Sequence, residues 1–289
     1  MNKPANRPSR PLSELLRAPA GTVDVRTLES DAAPGYPGQG KQDAEQRTAA
    51  LEPELSDLQE LLFANGRTHP ETAPRILLVL QGLDTSGKGG IIRKAIGLVD
   101  PQGVQLTSFK APSEEERAHH YLWRIERALP RPGMIGIFDR SHYEEVLVVR
   151  VEELVPRDVW EQRYDEINAF ESGLAEQGYT LIKCFLHISA DEQKERLAAR
   201  LDDPTKHWKY NPGDLDVRGK WDAYMDAYSA ALTHCNHDHA PWYVVPADKK
   251  WYRNWAVAEL LREKLDGLGL EWPKAQFDVA AEKRRVAAS

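Results

Sequence analysis

The chain has 289 residues, of which 41% are hydrophobic and 29% charged, with a formal net charge of −7. A core of that size needs no disulfide or metal staple. The negative balance argues against a general nucleic-acid or membrane-surface protein, while leaving room for a local basic groove that holds a polyanion. Cys184 and Cys235 show no framework spacing and read as reduced thiols. The longest clean apolar run, Ile76–Leu80, is far short of a membrane span, and the N-terminus carries no secretory pattern, so a cytoplasmic location is expected.

Residues 1–40 are rich in Pro, Ala, Gly and Arg and read as an extended arm with one short turn at Leu12–Leu16. Residues 41–70 change character. Leu51, Leu55, Leu58 and Leu62 recur at helical spacing with Glu52, Glu54, Asp57 and Glu60 between them, which predicts an amphipathic helix over 41–64. Pro70 and Pro74 mark a linker. From there to about residue 270, β-rich apolar runs at Ile76–Gln81, Val104–Phe109, Met134–Phe138, Thr180–Ile188 and Trp242–Val245 alternate with helical patterns. The helices fall at about 88–99, 114–129, 142–178 with a break near Pro156, 190–201, 215–235 and 251–265. Short continuous apolar strands separated by helices predict an α/β fold, a parallel sheet of about five strands covered on both faces. Residues 271–289 lose the pattern and read as a tail. The whole is one domain with two appended ends.

The first strand runs into Gly82-Leu-Asp84-Thr-Ser-Gly87-Lys88-Gly89-Gly90 and then a helical segment. Strand, glycine-rich turn and helix are the context of a phosphate-binding loop. Its backbone N–H groups face the anion, and Lys88 reaches the distal phosphates. One position departs from the usual pattern: Gly89 stands where a Ser or Thr hydroxyl ordinarily ligates Mg²⁺. Asp84, inside the loop, is the nearest carboxylate to take over that task. The plain alternative is a glycine-rich connecting turn.

Met134–Asp139 is an apolar strand ending in a carboxylate, as the second acidic strand of such enzymes does. Arg140 follows at the strand end that faces the ligand crevice of an open α/β sheet. Ser141 and Glu144 also fit a capping box at a helix start. Further on, residues 200–220 are dense in cations (Arg200, Lys206, Lys209, Arg218, Lys220) and broken by Pro204, Pro212 and Gly213. That is the pattern of a lid bringing cations onto a transferring phosphoryl group. Its plain alternative is a solvated loop of mixed charge.

Taken together these pieces resemble the polyphosphate kinase 2 family. The match consists of the 82–90 loop, Ser108-Phe-Lys110-Ala-Pro, Tyr121-Leu-Trp-Arg124, Phe138-Asp139-Arg140-Ser141-x-Tyr143-Glu144, Asp203-Pro-x-Lys206-x-Trp208-Lys209 and Ala240-Pro-Trp242, and it covers about residues 75–260. The resemblance implies a P-loop kinase-like enzyme with a helical lid that uses inorganic polyphosphate as donor and a nucleoside mono- or diphosphate as acceptor, with Mg²⁺ or Mn²⁺, as a homo-oligomer. By position, Asp84 and Asp139 are implied as the essential acids and metal ligands, and Lys88 and Arg140 as catalytic phosphate contacts. Gly82, Gly87, Gly89 and Gly90 line the loop, and Arg200, Lys206, Lys209 and Arg218 are lid cations. Lys110, Arg124 and Arg150 are candidates for the chain-binding groove. Glu144, with His142, resembles the branch that phosphorylates both nucleoside monophosphates and diphosphates. His120 stands where the family usually has Asp.

The run His234–His239 reads as a solvated turn rather than a metal site, because no distant Cys or His set completes it. Two other functions compete. An ATP-dependent nucleoside or nucleotide kinase of the thymidylate-kinase type shares loop, lid and sheet, but Gly89 and the long basic lid favour the polyphosphate reading. A non-catalytic nucleotide-binding regulator would have lost part of the set Asp84, Lys88, Asp139 and Arg140, all of which are present.

Overall fold

In the computed structural model, which describes residues 7–289, five strands form one parallel sheet. They are β1 (Arg75–Gln81), β2 (Val104–Ser108), β3 (Ile135–Asp139), β4 (Tyr179–His187) and β5 (Trp242–Pro246), in the order β2-β3-β1-β4-β5. The expected parallel sheet is thus present. Its register places Leu80 opposite Asp139 and Cys184, so the C-terminal ends of β1, β3 and β4 open onto one rim. Ligand crevices of open α/β sheets lie at that rim.

The central strands β1 and β3 are apolar on both faces because both faces are covered. Leu77 and Val79 pack with Phe109, Leu122, Ile125, Phe138 and Leu181 on one side. Ile76, Leu78 and Leu80 meet Ile91, Ile135, Ile137 and Leu260 on the other. The helix Lys250–Asp266 lies wholly within that second layer, with eleven buried positions including Trp255 and Leu261.

Several expected helices are shorter than their patterns. The 142–178 pattern divides into a 3₁₀ turn His142–Glu145, one α-turn Val148–Val151 and the long helix Arg157–Glu176. Pro156 precedes that helix as its N-cap, where its fixed φ is compatible with a helix start. Segment 114–129 divides into Glu114–Arg117 and Leu122–Ala128, and 215–235 into Gly213–Gly219 and Trp221–His234.

Along the outer edge of β5, the Ala18 N–H donates to Trp242 and the Val244 N–H to Leu16. The chain before the main domain therefore covers a sheet edge that would otherwise offer unpaired backbone groups. Leu12, Leu16, Val23 and Val25 are buried there. The helices Gly40–Ala49 and Glu52–Thr68 follow, the second burying Leu55 and Leu62. Arg262 ties that second helix to the core through Glu54 and Glu259, and Arg7 also pairs with Glu54. At the other end, Val279–Ala287 forms a helix with no buried residue.

One polar cluster lies fully inside. Lys183 on β4 donates to Glu171 (2.6 Å), the Tyr143 hydroxyl (2.8 Å) and the Cys235 carbonyl (2.7 Å). Glu171 also accepts from Tyr143 (2.9 Å) and lies 3.2 Å from His142 Nε2. The Lys183, Glu171 and Tyr143 side chains all have partners, as a low dielectric requires. Burial opposes the Glu171 charge, but Lys183, and after it His142, outweigh burial and hold the carboxyl below its ordinary value. A carboxyl depressed in the folded state contributes stability above its unfolded value, and that contribution fades as the pH falls. Glu171→Gln leaves Lys183 without its counter-ion and is expected to cost about 3–5 kcal/mol at neutral pH in urea unfolding. The gap to the wild type should narrow as the pH drops below the ordinary value of 4.5. A gap that is constant across that range would mean Glu171 is not the ionised partner.

Candidate active site

The loop after β1 is tightly specified. Gly87 has φ 111°, a left-handed conformation that an L side chain adopts only with strain, and a Cβ there would lie 1.8 Å from Nη1 of Arg253. Thr85 also has a positive φ of 64°. Gly89 is different: a Cβ on it would meet nothing within 4 Å. The missing hydroxyl at 89 is therefore not a matter of space.

Lys88 folds back along the loop and donates to the Gly82 carbonyl (2.7 Å). Burial, and after it the neighbouring Arg140, push its ammonium below the ordinary lysine value, while Asp84, Asp139 and Glu144 act the other way. These five predicted residues thus surround one point. Arg140 holds the arrangement together. Its Nη2 is 3.2 Å from Asp84 Oδ1 and its Nη1 is 3.1 Å from Glu144 Oε2. Burial weakens its charge, but Glu144 and then Asp84 more than compensate and raise it. Its backbone is fixed as well, with φ 64° and its N–H on the Leu80 carbonyl (3.1 Å). A side chain tied at both ends in this way is pre-organised for an anion.

The Glu144 contact corrects one expectation. Ser141 does act as a cap, but it accepts from the Tyr143 N–H (3.1 Å). Glu144 turns to Arg140 and does not return to the Ser141 N–H, so no capping box forms. The left-handed backbone at Arg140 starts a 3₁₀ turn, in which the geometry of the α-helical box does not arise.

Arg140 and Glu144 form a wall shared by two clefts. The smaller, 180 Å³, lies over Gly82, Leu83 and Asp84 and is closed by Tyr224 and Tyr228. The larger, 880 Å³, is lined by Lys110, Arg124, His120, Glu145 and Glu166 and by apolar residues including Val148 and Leu154. Arg124 is buried there, donating to the Lys110 carbonyl (2.8 Å) and lying over the Phe109 ring. His120 sits on the same wall, with Nε2 3.5 Å from Glu166.

The four lid cations divide. Arg200 reaches the Lys209 carbonyl (3.0 Å) and Asp214 (3.4 Å). Asp214 is raised by burial and, next, by the negative charge of Asp84 in the loop. Arg218 donates to Gln193 Oε1 (3.1 Å), whose amide donates to the Asp84 carbonyl (3.1 Å). Lys206 pairs with Asp203 (2.7 Å), and Lys209 lies over the exposed ring of Trp208. Arg150 is not brought to the site. It stacks on Trp160 at 4.7 Å, donates to the Tyr164 hydroxyl (3.2 Å) and lines a separate cleft with Arg157, Asp165 and His234. The split after His142 sends the Val148–Val151 turn away from the loop, so that Arg150 points toward the long helix.

Among the described residues no group of three or more His, Cys, Asp or Glu is placed to hold a metal ion, the His234–His239 run included. The sequence reading passed over Gln193, Arg196 and Arg253, all buried against the loop. The available signal was an arginine on the apolar face of a helix, as at Arg253 between Tyr252 and Trp255.

A glycine-rich anion loop, an acidic neighbouring strand and a basic lid on a five-stranded parallel sheet define a phosphoryl-transfer enzyme of the P-loop kinase kind. The chain matches the family model described as Polyphosphate kinase 2 (PPK2) over residues 39–270, and it belongs to that family. It is 47% identical over 265 residues to the "AMP/ADP-polyphosphate phosphotransferase" of Meiothermus ruber, covering 92% of this chain and 96% of that one. It is 42% identical over 232 residues to the "ADP-polyphosphate phosphotransferase" of Rhodopseudomonas palustris, covering 76% and 78%. Among solved structures, polyphosphate kinase 2 from Arthrobacter aurescens TC1 superposes with a TM-score of 0.93 at 51% identity, over 98% of both chains.

The two glycines make a matched pair for mutation. Gly87→Ala combines a left-handed backbone with a clash and is expected to lower stability by about 1–3 kcal/mol and to remove activity. Gly89→Ser enters open space and should stay within about 0.5 kcal/mol of the wild type. Thermal unfolding and turnover of both variants check this, and equal losses would contradict the geometry.

Proposed function

We propose that the protein moves a phosphoryl group from inorganic polyphosphate to a nucleoside mono- or diphosphate, AMP, ADP or their guanine equivalents. The observation that carries this reading is the pair of clefts meeting at Arg140 and Glu144. A phosphate chain on the loop and a nucleotide in the larger, partly apolar cavity would bring donor and acceptor phosphates together at Arg140. The activities for which the Meiothermus and Rhodopseudomonas relatives are named support it.

In that arrangement Lys88 and Arg140 hold non-bridging oxygens, and Arg200 and Arg218 neutralise charge from the lid. An acceptor phosphate is already ionised, so transfer needs positioning and charge neutralisation more than a general base. Asp84 is then an orienting or metal-binding group rather than a proton acceptor. Asp84 and Asp139 offer hard oxygen ligands, and among the described residues the Asp139 carboxylate makes no hydrogen bond or ion pair. Mg²⁺ commonly uses one or two carboxylates plus substrate phosphates and retained waters, so the lack of an all-protein cage fits it. When bound, Mg²⁺, or Mn²⁺ with the same donors, would offset phosphate charge.

Long-chain polyphosphate mixed with AMP or ADP and Mg²⁺, without ATP, is expected to yield ADP or ATP, and chelation should stop it. No product would refute the proposal. Asp84→Asn is expected to lower kcat on the order of 100-fold, the scale of losing one aligned electrostatic group. An unchanged kcat and Mg²⁺ dependence would remove Asp84 from the reaction.

A further inference from the structure

Two arginines from outside the phosphate loop close around its back. Arg196, on the helix Ala190–Leu201, donates to the carbonyls of Thr85 (2.8 Å), Ser86 (3.3 Å), Ala247 (2.6 Å) and Asp248 (2.8 Å). Its Nε pairs with Glu192 at 2.6 Å. Arg253, on the helix Lys250–Asp266, donates to the Ser86 carbonyl (2.9 Å) and to Asn254 Oδ1 (3.0 and 3.3 Å). It fills the space that side chains at Gly87 and Gly90 would need, with its nitrogens 1.8 and 2.6 Å from their ideal Cβ positions. Holding these carbonyls outward leaves the neighbouring N–H groups free to face an anion.

The two arginines differ in one respect. Arg196 has Glu192, whereas Arg253, only 4% exposed, makes no ion pair among the described residues, and its acceptors are neutral. Burial, and next Arg196, push it down to about 9 against a smaller opposing pull from Glu192, which is committed to Arg196, and it stays charged at neutral pH. A buried cation without a counter-ion is costly. Here it lies directly behind the turn that would cradle phosphates.

We propose that Arg253 is a positioning residue for the phosphate donor: it fixes the Ser86 carbonyl and keeps an unmatched positive charge behind the loop that only a bound polyanion neutralises. This rests on the reading that the loop takes the polyphosphate. An arginine serving the fold alone would lower the stability of the ligand-free protein when replaced. An unmatched charge predicts the opposite pattern, a ligand-free protein that is no less stable and a weaker donor complex.

The experiment measures tripolyphosphate binding by calorimetry, thermal unfolding without ligand, and steady-state kinetics on the full chain and its R253M and R253K variants. R253M is expected to bind tripolyphosphate at least tenfold more weakly. Its KM for polyphosphate should rise by a similar factor, its KM for ADP should stay within twofold, and its ligand-free Tm should equal or exceed that of the wild type. R253K keeps the charge and loses the fork, and is expected to bind within threefold of the wild type. Tripolyphosphate binding by R253M equal to that of the wild type overturns the inference alone, and so does a lower ligand-free Tm with equal binding losses in both variants. If R253M does not fold, a tenfold loss in R253K overturns it and binding within threefold supports it. No binding by the wild type overturns both this inference and the donor-site reading.

Discussion

Leu80 lies opposite Asp139 in parallel register, so β1 releases the phosphate loop at the height where β3 delivers its carboxylate. A slip of one residue would turn every side chain of β3 to the other face of the sheet. The register is held by burial on both faces, with Leu77 and Val79 committed to one layer and Leu78 and Leu80 to the other. Arg140 then locks the two strand ends together, its N–H on Leu80 and its guanidinium between Asp84 and Glu144. The site is thus an outcome of sheet packing before it is an outcome of charge.

Charge balance explains the division of the lid. Around Lys88 the carboxylates of Asp84, Asp139 and Glu144 outnumber Lys88 and Arg140, which suits a metal ion and leaves little surplus for a polyanion. The surplus has to come from elsewhere. Lys206 is held by Asp203 in a solvent-exposed pair, a contact of the kind worth at most about 1 kcal/mol. Exchanging such a partner for a phosphate oxygen costs little, so in the proposed reaction Lys206 would be free to leave Asp203 for the substrate. Arg253 supplies the same surplus from a buried position behind the loop.

The sheet, the loop and the acidic strand end were legible because each is a local pattern: a continuous apolar run, glycines at fixed offsets, a carboxylate closing a strand. What lay outside local pattern was harder to see. The 142–178 periodicity is real, yet the left-handed Arg140 and Pro156 divide it, and that division carries Arg150 away from the groove assigned to it. Composition suggested an extended arm over residues 1–40. The hydrogen bonds of Leu16 and Ala18 to β5 depend on a sheet edge more than two hundred residues later. Arg196 and Arg253 were hidden for the same reason, since their acceptors are backbone carbonyls, which no residue type announces.

Nothing crowds Gly89, so a serine would fit, and the absence of its hydroxyl is a chemical feature rather than a steric one. In an ATP-type loop that hydroxyl fixes the metal close to the helix start. Here the available oxygens are Asp84 within the loop and Asp139 on the next strand, placed around the same point as Arg140 and Lys88. In the proposed reaction Asp84 and Asp139 would hold the metal, which would offset phosphate charge where donor and acceptor meet. The helix start is left unobstructed, with Arg253 behind it and no side chain at 89 in front, an arrangement that admits a featureless run of phosphates with no terminal nucleoside to recognise.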